Sequence, residues 1–312
     1  MNDAVQFPRP LRGIIPPIVT PLLGRDELDH YGLSRLVEHL VSGGVAGLFL
    51  LGTTGEGPSL SYRLRYELIE KTCEFVAGRV PVLVGATDTS LVEAIELSRF
   101  SRDAGAAAVV AAPPYYFPVE QPQLLTFLKR LANESPLPVF LYNMPSCVKS
   151  VLAFETVETL SCHPNVVGLK DSSGDIDYFQ RALTLRQSRP DWTVLMGPEH
   201  LMSESVLLGS DGGVTGGANL HPRLFVDLYE ASVRRDRSEM ARLQTEVTAL
   251  GRIYNVAGGG MASYLCGLKC ALELADICSG QLAEPFTALG ATERDSIGRL
   301  LAEMNLLVTA AM

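Results

Sequence analysis

The sequence predicts an α/β chain folded as a (β/α)8 barrel with a C-terminal helical appendage. Three observations predict it. Eight short runs are almost continuously apolar, as parallel strands covered on both faces read. Amphipathic segments with helical spacing separate them, so strand and helix alternate eight times. No G-x-G-x-x-G follows the first run, as an open, doubly wound dinucleotide-binding sheet would require.

The strand runs are "GIIPPIVT" from Gly13, "GLFLLG" from Gly47, "PVLVGAT" from Pro81 and "AAAVVAAPP" from Ala106. "LPVFLYNMP" from Leu137, "NVVGLKDSS" from Asn165, "TVLMG" from Thr193 and "GGVTGGAN" from Gly212 complete the eight. Between the first two, Leu33, Leu36, Val37, Leu40 and Val41 form one apolar stripe, ended by Gly43 and Gly44. Leu64, Leu68, Thr72, Phe75 and Val76 form the next, before Gly78. Further helices are predicted to begin near Ser90, Gln121, Ala153, Asp175, Glu199 and Pro222. Beyond about Ser232 the strands stop. Helices are expected near 236–252, 261–276 and 292–309, with "NVAGGG" from Asn255 as a glycine-rich loop and a Gly/Pro-containing connection from Gly280 to Gly290. The expected division is therefore a barrel over 1–232 and a helical region over 233–312 that serves packing and subunit contacts.

Composition narrows the function. Net charge is −9, and the most basic stretch, "VRRDRSEMAR", is interleaved with acids. It reads as a solvated helix face, so no nucleic acid is expected. The six cysteines form no C-x-x-C pair, and with five histidines no zinc-site spacing emerges. No metal is expected, and the cysteines read as reduced, mostly packed thiols in the cytoplasm. The start, "MNDAVQFPRP", lacks a signal-peptide pattern. No apolar run approaches the roughly 20 residues of a membrane span.

In a barrel, the C-terminal strand ends and the loops after them carry the chemistry. Lys170 stands out there: it closes the apolar run "VVGLK", whereas Lys71 and Lys129 lie on amphipathic helices, Lys149 in a loop and Lys269 in the tail, where it would be interfacial. A lysine at a core strand end is partly desolvated, and desolvation favours the neutral amine. Such an amine attacks a carbonyl to form a Schiff base, whose iminium lets a carbon–carbon bond form or break beside it. The bland alternatives are pairing with Asp171 or reaching out to solvent. Schiff-base chemistry also needs a proton relay, and Tyr142, Tyr116 and Thr53 supply hydroxyls at strand ends. "GTTGEG", from Gly52, further offers amides that suit a carboxylate. "GSDGGVTGGAN" is in the right place for a phosphate loop, but its glycines equally fit tight packing at the closing strand.

"IVTP", "GTTGE", "PPYY", "LYNMP" and "GLKDSSGD" occur in this order, at spacings that resemble the dihydrodipicolinate synthase / N-acetylneuraminate lyase family over nearly the whole chain. The resemblance implies a cofactor-free class I lyase or aldolase acting on pyruvate or a pyruvoyl-containing acid, with a barrel, a helical tail and usually a homotetramer. Lys170 matches the Schiff-base lysine, Tyr142 the tyrosine beside it and Thr53 the relay hydroxyl. Thr54 and its amide match the binder of the pyruvate carboxylate, and Gly197 and Val214 match pocket-lining positions. Tyr116 matches the tyrosine that reaches in from a neighbouring subunit, with Tyr115 the alternative if the register slips by one.

One departure bears on the substrate. The family's synthases resemble "YNVPSRTG" after strand five, the arginine holding a substrate carboxylate. Here the run is "YNMPSCVKS", with Cys147 at that position. Cysteine makes no bidentate contact with a carboxylate; Lys149 offers a charge with different geometry. This argues against the lysine-pathway synthase, which stays as the alternative, and the candidate substrates are 2-keto-3-deoxy sugar acids and related 2-oxo acids, cleaved or dehydrated. Glu199 and His200, in "GPEHLM", either hydrogen-bond a hydroxylated substrate or start the next helix. A keto-acid-binding sensor without catalysis is the non-enzymatic alternative.

Overall fold

The computed structural model describes residues 7–307. Eight parallel strands make one curled sheet: β1 (Gly13–Ile14), β2 (Leu48–Leu50), β3 (Val82–Gly85), β4 (Ala108–Ala111), β5 (Val139–Asn143), β6 (Val166–Asp171), β7 (Thr193–Met196) and β8 (Gly212–Gly213). Each pairs with its neighbours in chain order from β2 to β8, and β8 pairs with β1. At the other edge, Pro17 bridges Phe49, Phe49 N–H donates to Pro16 O at 2.9 Å, and Ala46 N–H donates to Ile14 O at 2.8 Å. The first predicted strand is cut short because Pro16 and Pro17 have no N–H for a ladder. The eighth shortens because Gly216–Asn219 turns into a 3₁₀ segment.

A helix follows each strand: α1 (His30–Ser42), α2 (Tyr62–Val76), α3 (Leu91–Asp103), α4 (Gln121–Glu134), α5 (Phe154–Ser161), α6 (Ile176–Thr184), α7 (Met202–Leu208) and α8 (Pro222–Arg234). Their starts follow from capping chemistry. Asp29, Ser61, Ser90 and Asp175 each accept the N–H three residues on, satisfying one otherwise unpaired first-turn donor. A hairpin not predicted from sequence, Leu22–Gly24 with Glu27–Leu28, precedes α1, its turn using left-handed Asp26.

The tail contains α9 (Arg237–Leu250), α10 (Gly260–Leu274) and α11 (Ala291–Glu303). The last predicted helix ran to residue 309. It stops at Glu303, where Met304 caps it and Asn305 turns left-handed, and residues 308–309 lie outside the described part. Two apolar layers hold the molecule. Inside the curl, Phe49, Leu83, Val110, Phe140, Val167 and Leu195 fill the centre. Between sheet and helices, a second layer runs on without a break from strand residues to Leu243, Val247, Leu268 and Leu272 of the tail.

Candidate active site

Strand alternation decides which side chains meet at the sheet's C-terminal end. On β5, Phe140 and Tyr142 point inward while Val139 and Leu141 point at helices. β6 carries an irregularity. Val139 pairs with Val166 but Phe140 pairs with Gly168, leaving Val167 as an extra residue. Strict alternation from outward-facing Val166 would point Lys170 at the helices. The bulge reverses the parity, so Leu169 faces out and Lys170 faces in, paired with Tyr142 across the ladder.

Lys170 is 6% exposed. Its Nζ lies 4.0 Å from the centre of the Tyr142 ring and 4.8 Å from that of Phe49. Asp171 is not its partner: as the next residue on the strand it faces outward, accepting Asn143 Nδ2–H at 2.8 Å and Ser173 Oγ–H at 2.9 Å. Burial pushes the Asp171 carboxyl above its ordinary range, against the lowering effect of those bonds. Among the described residues no carboxylate lies within 4 Å of Nζ. The amine instead faces a cavity of about 300 Å³, lined also by Thr53, Thr54, Tyr142, Gly197 and Val214. Thr53 Oγ1 is 3.4 Å from Tyr142 OH. Six of the seven sequence-predicted positions therefore converge.

Tyr116 is the exception. It is 68% exposed, edge-on to Phe117, and lines no cavity with Lys170. Its neighbour Tyr115 is half-buried and lines a second cavity, which shares Thr53, Tyr142, Met144 and Met261 with the first. Cys147 lines that second cavity, whereas Lys149 is exposed and lines neither.

The tail also reaches the site. Tyr264, on α10, bonds its hydroxyl to Thr54 Oγ1 at 3.0 Å, and Tyr254 donates to Glu199 at 3.0 Å. Glu199 starts the 3₁₀ turn before α7 and also lines the cavity, accepting Gly217 N–H at 2.5 Å. Burial raises its carboxyl above the ordinary range. His200 beside it is exposed and lines the cavity as well. The glycines of "GVTGGAN" make room for these tyrosines: a Cβ on Gly216 would lie 1.7 Å from Tyr264 OH, and one on Gly217 2.5 Å from Tyr254 OH. Tight packing, the alternative to a phosphate loop, accounts for them.

Lys269, expected at an interface, is fully buried. Its Nζ donates to Glu56 at 2.6 Å and to Thr20 O at 2.8 Å, while Glu56 also accepts Ala283 N–H at 2.8 Å. Glu56 sits in the left-handed region at φ 54°, within "GTTGEG", so the pair pins the loop that carries Thr53 and Thr54. Tyr264 and the inward placement of Lys269 lie on a tail helix, outside the strand ends where a barrel's chemistry is expected. Yet Met261, Leu265 and Lys269 recur every four residues on one helix face, and an ammonium in an apolar stripe is the same clue that singled out Lys170.

The chain is similar in sequence and fold to known proteins. A solved structure of dihydrodipicolinate synthase from Bacteroides thetaiotaomicron is 50% identical, with a TM-score of 0.92, over 95% of this chain and 100% of the other. YagE from Escherichia coli K12, a protein of the dihydrodipicolinic acid synthase family solved in complex with pyruvate, is 30% identical, with a TM-score of 0.88, over 95% and 99%. The probable 2-dehydro-3-deoxy-D-pentonate aldolase YjhH of the same organism is 34% identical over 244 residues, 78% of this chain and 81% of its own. Residues 10–304 match the model of the dihydrodipicolinate synthetase family, and the chain belongs to that family.

Proposed function

We propose that the protein is a class I Schiff-base lyase or aldolase that makes or breaks a carbon–carbon bond between pyruvate and an aldehyde. The observation that carries this is the placement of Lys170: a buried amine with no carboxylate partner, facing a cavity beside two hydroxyls. Lys170 attacks the pyruvate ketone. Tyr142 and Thr53 move the protons, and Thr54, held by Tyr264, receives the carboxylate with its backbone amide. Gly197 and Val214 shape the wall. Tyr116, exposed in one chain, serves the site of a neighbouring subunit in a homotetramer. The bonds joining the β1 and β2 segments support a closed (β/α)8 barrel over 1–232, with 233–312 completing its mouth. The six free cysteines suit a cytoplasmic setting. The synthase relative at 50% identity favours the lysine-pathway reaction as a second reading, and Cys147 weighs against it. A keto-deoxy sugar acid dehydratase would use the same Schiff base.

Borohydride added with pyruvate should reduce the adduct onto Lys170, seen as one mass increment on its peptide. The Lys170→Ala variant should lose about a thousandfold in kcat. An unlabelled Lys170, under conditions that label a known class I aldolase, refutes the reading.

A further inference from the structure

The second cavity measures about 220 Å³ and meets the first at Thr53, Tyr142, Met144 and Met261. Its walls are apolar: Phe49, Leu51, Ala112, Val148 and Leu265 are buried, and Phe286 is half-buried. Polar groups also line it: beyond Thr53 and Tyr142, the wall carries the hydroxyls of Ser59 and Tyr115, the thiol of Cys147, and the engaged side chains of Thr87 and Glu56. Thr87 Oγ1 accepts Ala112 N–H at 3.0 Å. Glu56, the one charged side chain in the wall, is taken up by Lys269 and by Ala283 N–H. Among the described residues, no lysine, arginine or histidine lines this cavity.

These walls discriminate by desolvation. A carboxylate or phosphate entering here loses its hydration and meets no cation, while the nearest fixed charge is negative. A hydroxylated chain loses water hydrogen bonds that the hydroxyls of Ser59 and Tyr115 replace only in part. An apolar body gains by leaving water. At the border with the first cavity, the hydroxyls of Thr53 and Tyr142 stand 3.4 Å apart beside Lys170. A carbonyl group placed there finds a donor while its body lies against Phe49 and Leu265.

We propose that this cavity takes the second substrate, and that this substrate is an uncharged, largely apolar aldehyde, aromatic or branched aliphatic. The inference rests on the Schiff-base reading above. Pyruvate forms the iminium on Nζ with loss of one water, and a proton leaves its methyl carbon through Thr53 and Tyr142 to give the enamine. The enamine carbon attacks the aldehyde carbon, forming the new bond. The carbonyl electron pair moves onto oxygen, which takes that proton back from Tyr142. One water then hydrolyses the iminium, freeing Lys170 and a 4-hydroxy-2-oxo acid. No oxidant or reductant enters.

The test gives the full-length protein saturating pyruvate and, in turn, benzaldehyde, isovaleraldehyde, glyceraldehyde and succinic semialdehyde, with adducts quantified by mass spectrometry. The better apolar aldehyde should exceed both others in kcat/KM by at least about tenfold. Replacing Cys147, exposed at the rim, by arginine should raise the ratio of succinic semialdehyde to benzaldehyde turnover by at least about tenfold. Preference for the charged or hydroxylated aldehyde, equal rates, an unmoved ratio in Cys147→Arg, or no aldehyde turnover each overturns this inference. In each of these outcomes, Lys170 trapped by pyruvate and borohydride leaves the Schiff-base reading standing. Absence of trapping overturns both.

Discussion

Asp171 shows how one position apart on a strand separates chemistry from architecture. Lys170 faces the cavity, and Asp171, behind the sheet, ties the loops after β5 and β6 through Asn143 and Ser173. Its folded pKa is raised by burial, so the folded chain holds this proton more tightly than the unfolded chain. That contribution is fully present below the unfolded pKa and is lost as pH rises through the folded one. Asp171→Asn has no such titration. The melting-temperature advantage of the natural protein over Asp171→Asn should therefore shrink as pH rises above the ordinary carboxylate range. An advantage that is constant or grows with pH would count against a raised pKa.

Helix α10 acts as the second wall of the site. The buried Lys269–Glu56 pair joins it to the "GTTGEG" loop, and removing one partner leaves a buried charge uncompensated. Lys269→Met should cost about 3–5 kcal/mol in chemical denaturation. Adding Glu56→Gln should return part of that loss, because no charge is then stranded. A double variant no more stable than Lys269→Met would mean that the lysine acts by packing alone. The neighbouring contact is tighter still: Tyr264 OH occupies the space that a side chain on Gly216 would need. Gly216→Ala must therefore displace the tyrosine that holds Thr54.

At the scale of the whole molecule, one apolar layer passes from the strands through α8 into α9 and α10, with Leu250, Leu268 and Leu272 fully buried in it. The tail is part of the core and of the site. A chain ended after Ser232 would expose this layer together with the unpaired carboxylate of Glu56. It should lose the cooperative thermal transition seen by circular dichroism. A truncated chain that still melts in one sharp transition would show that the tail only decorates a self-sufficient barrel.

The order of elements was legible in the sequence because each decision is local. Apolar runs, helix stripes and Ser or Asp caps lie within a few residues of the structure they produce. The strand-end residues Lys170, Tyr142, Thr53 and Thr54 were legible for the same reason, once eight alternations placed those ends on one rim. Other features depend on residues far apart in the chain. A near-continuous apolar run such as "VVGLK" has no alternation to reveal which face Lys170 takes; the bulge against β5 decides that. Tyr264 enters the site, and Lys269 holds the loop beside it, only because α10 packs across the rim more than 200 residues after Thr54 and Glu56. The sequence by itself determined the alternating scaffold and singled out the amine of Lys170. Tertiary packing alone decided the parity of that amine, the wall opposite it, and the cation-free cavity beside it, because each arises from contacts that no local pattern encodes.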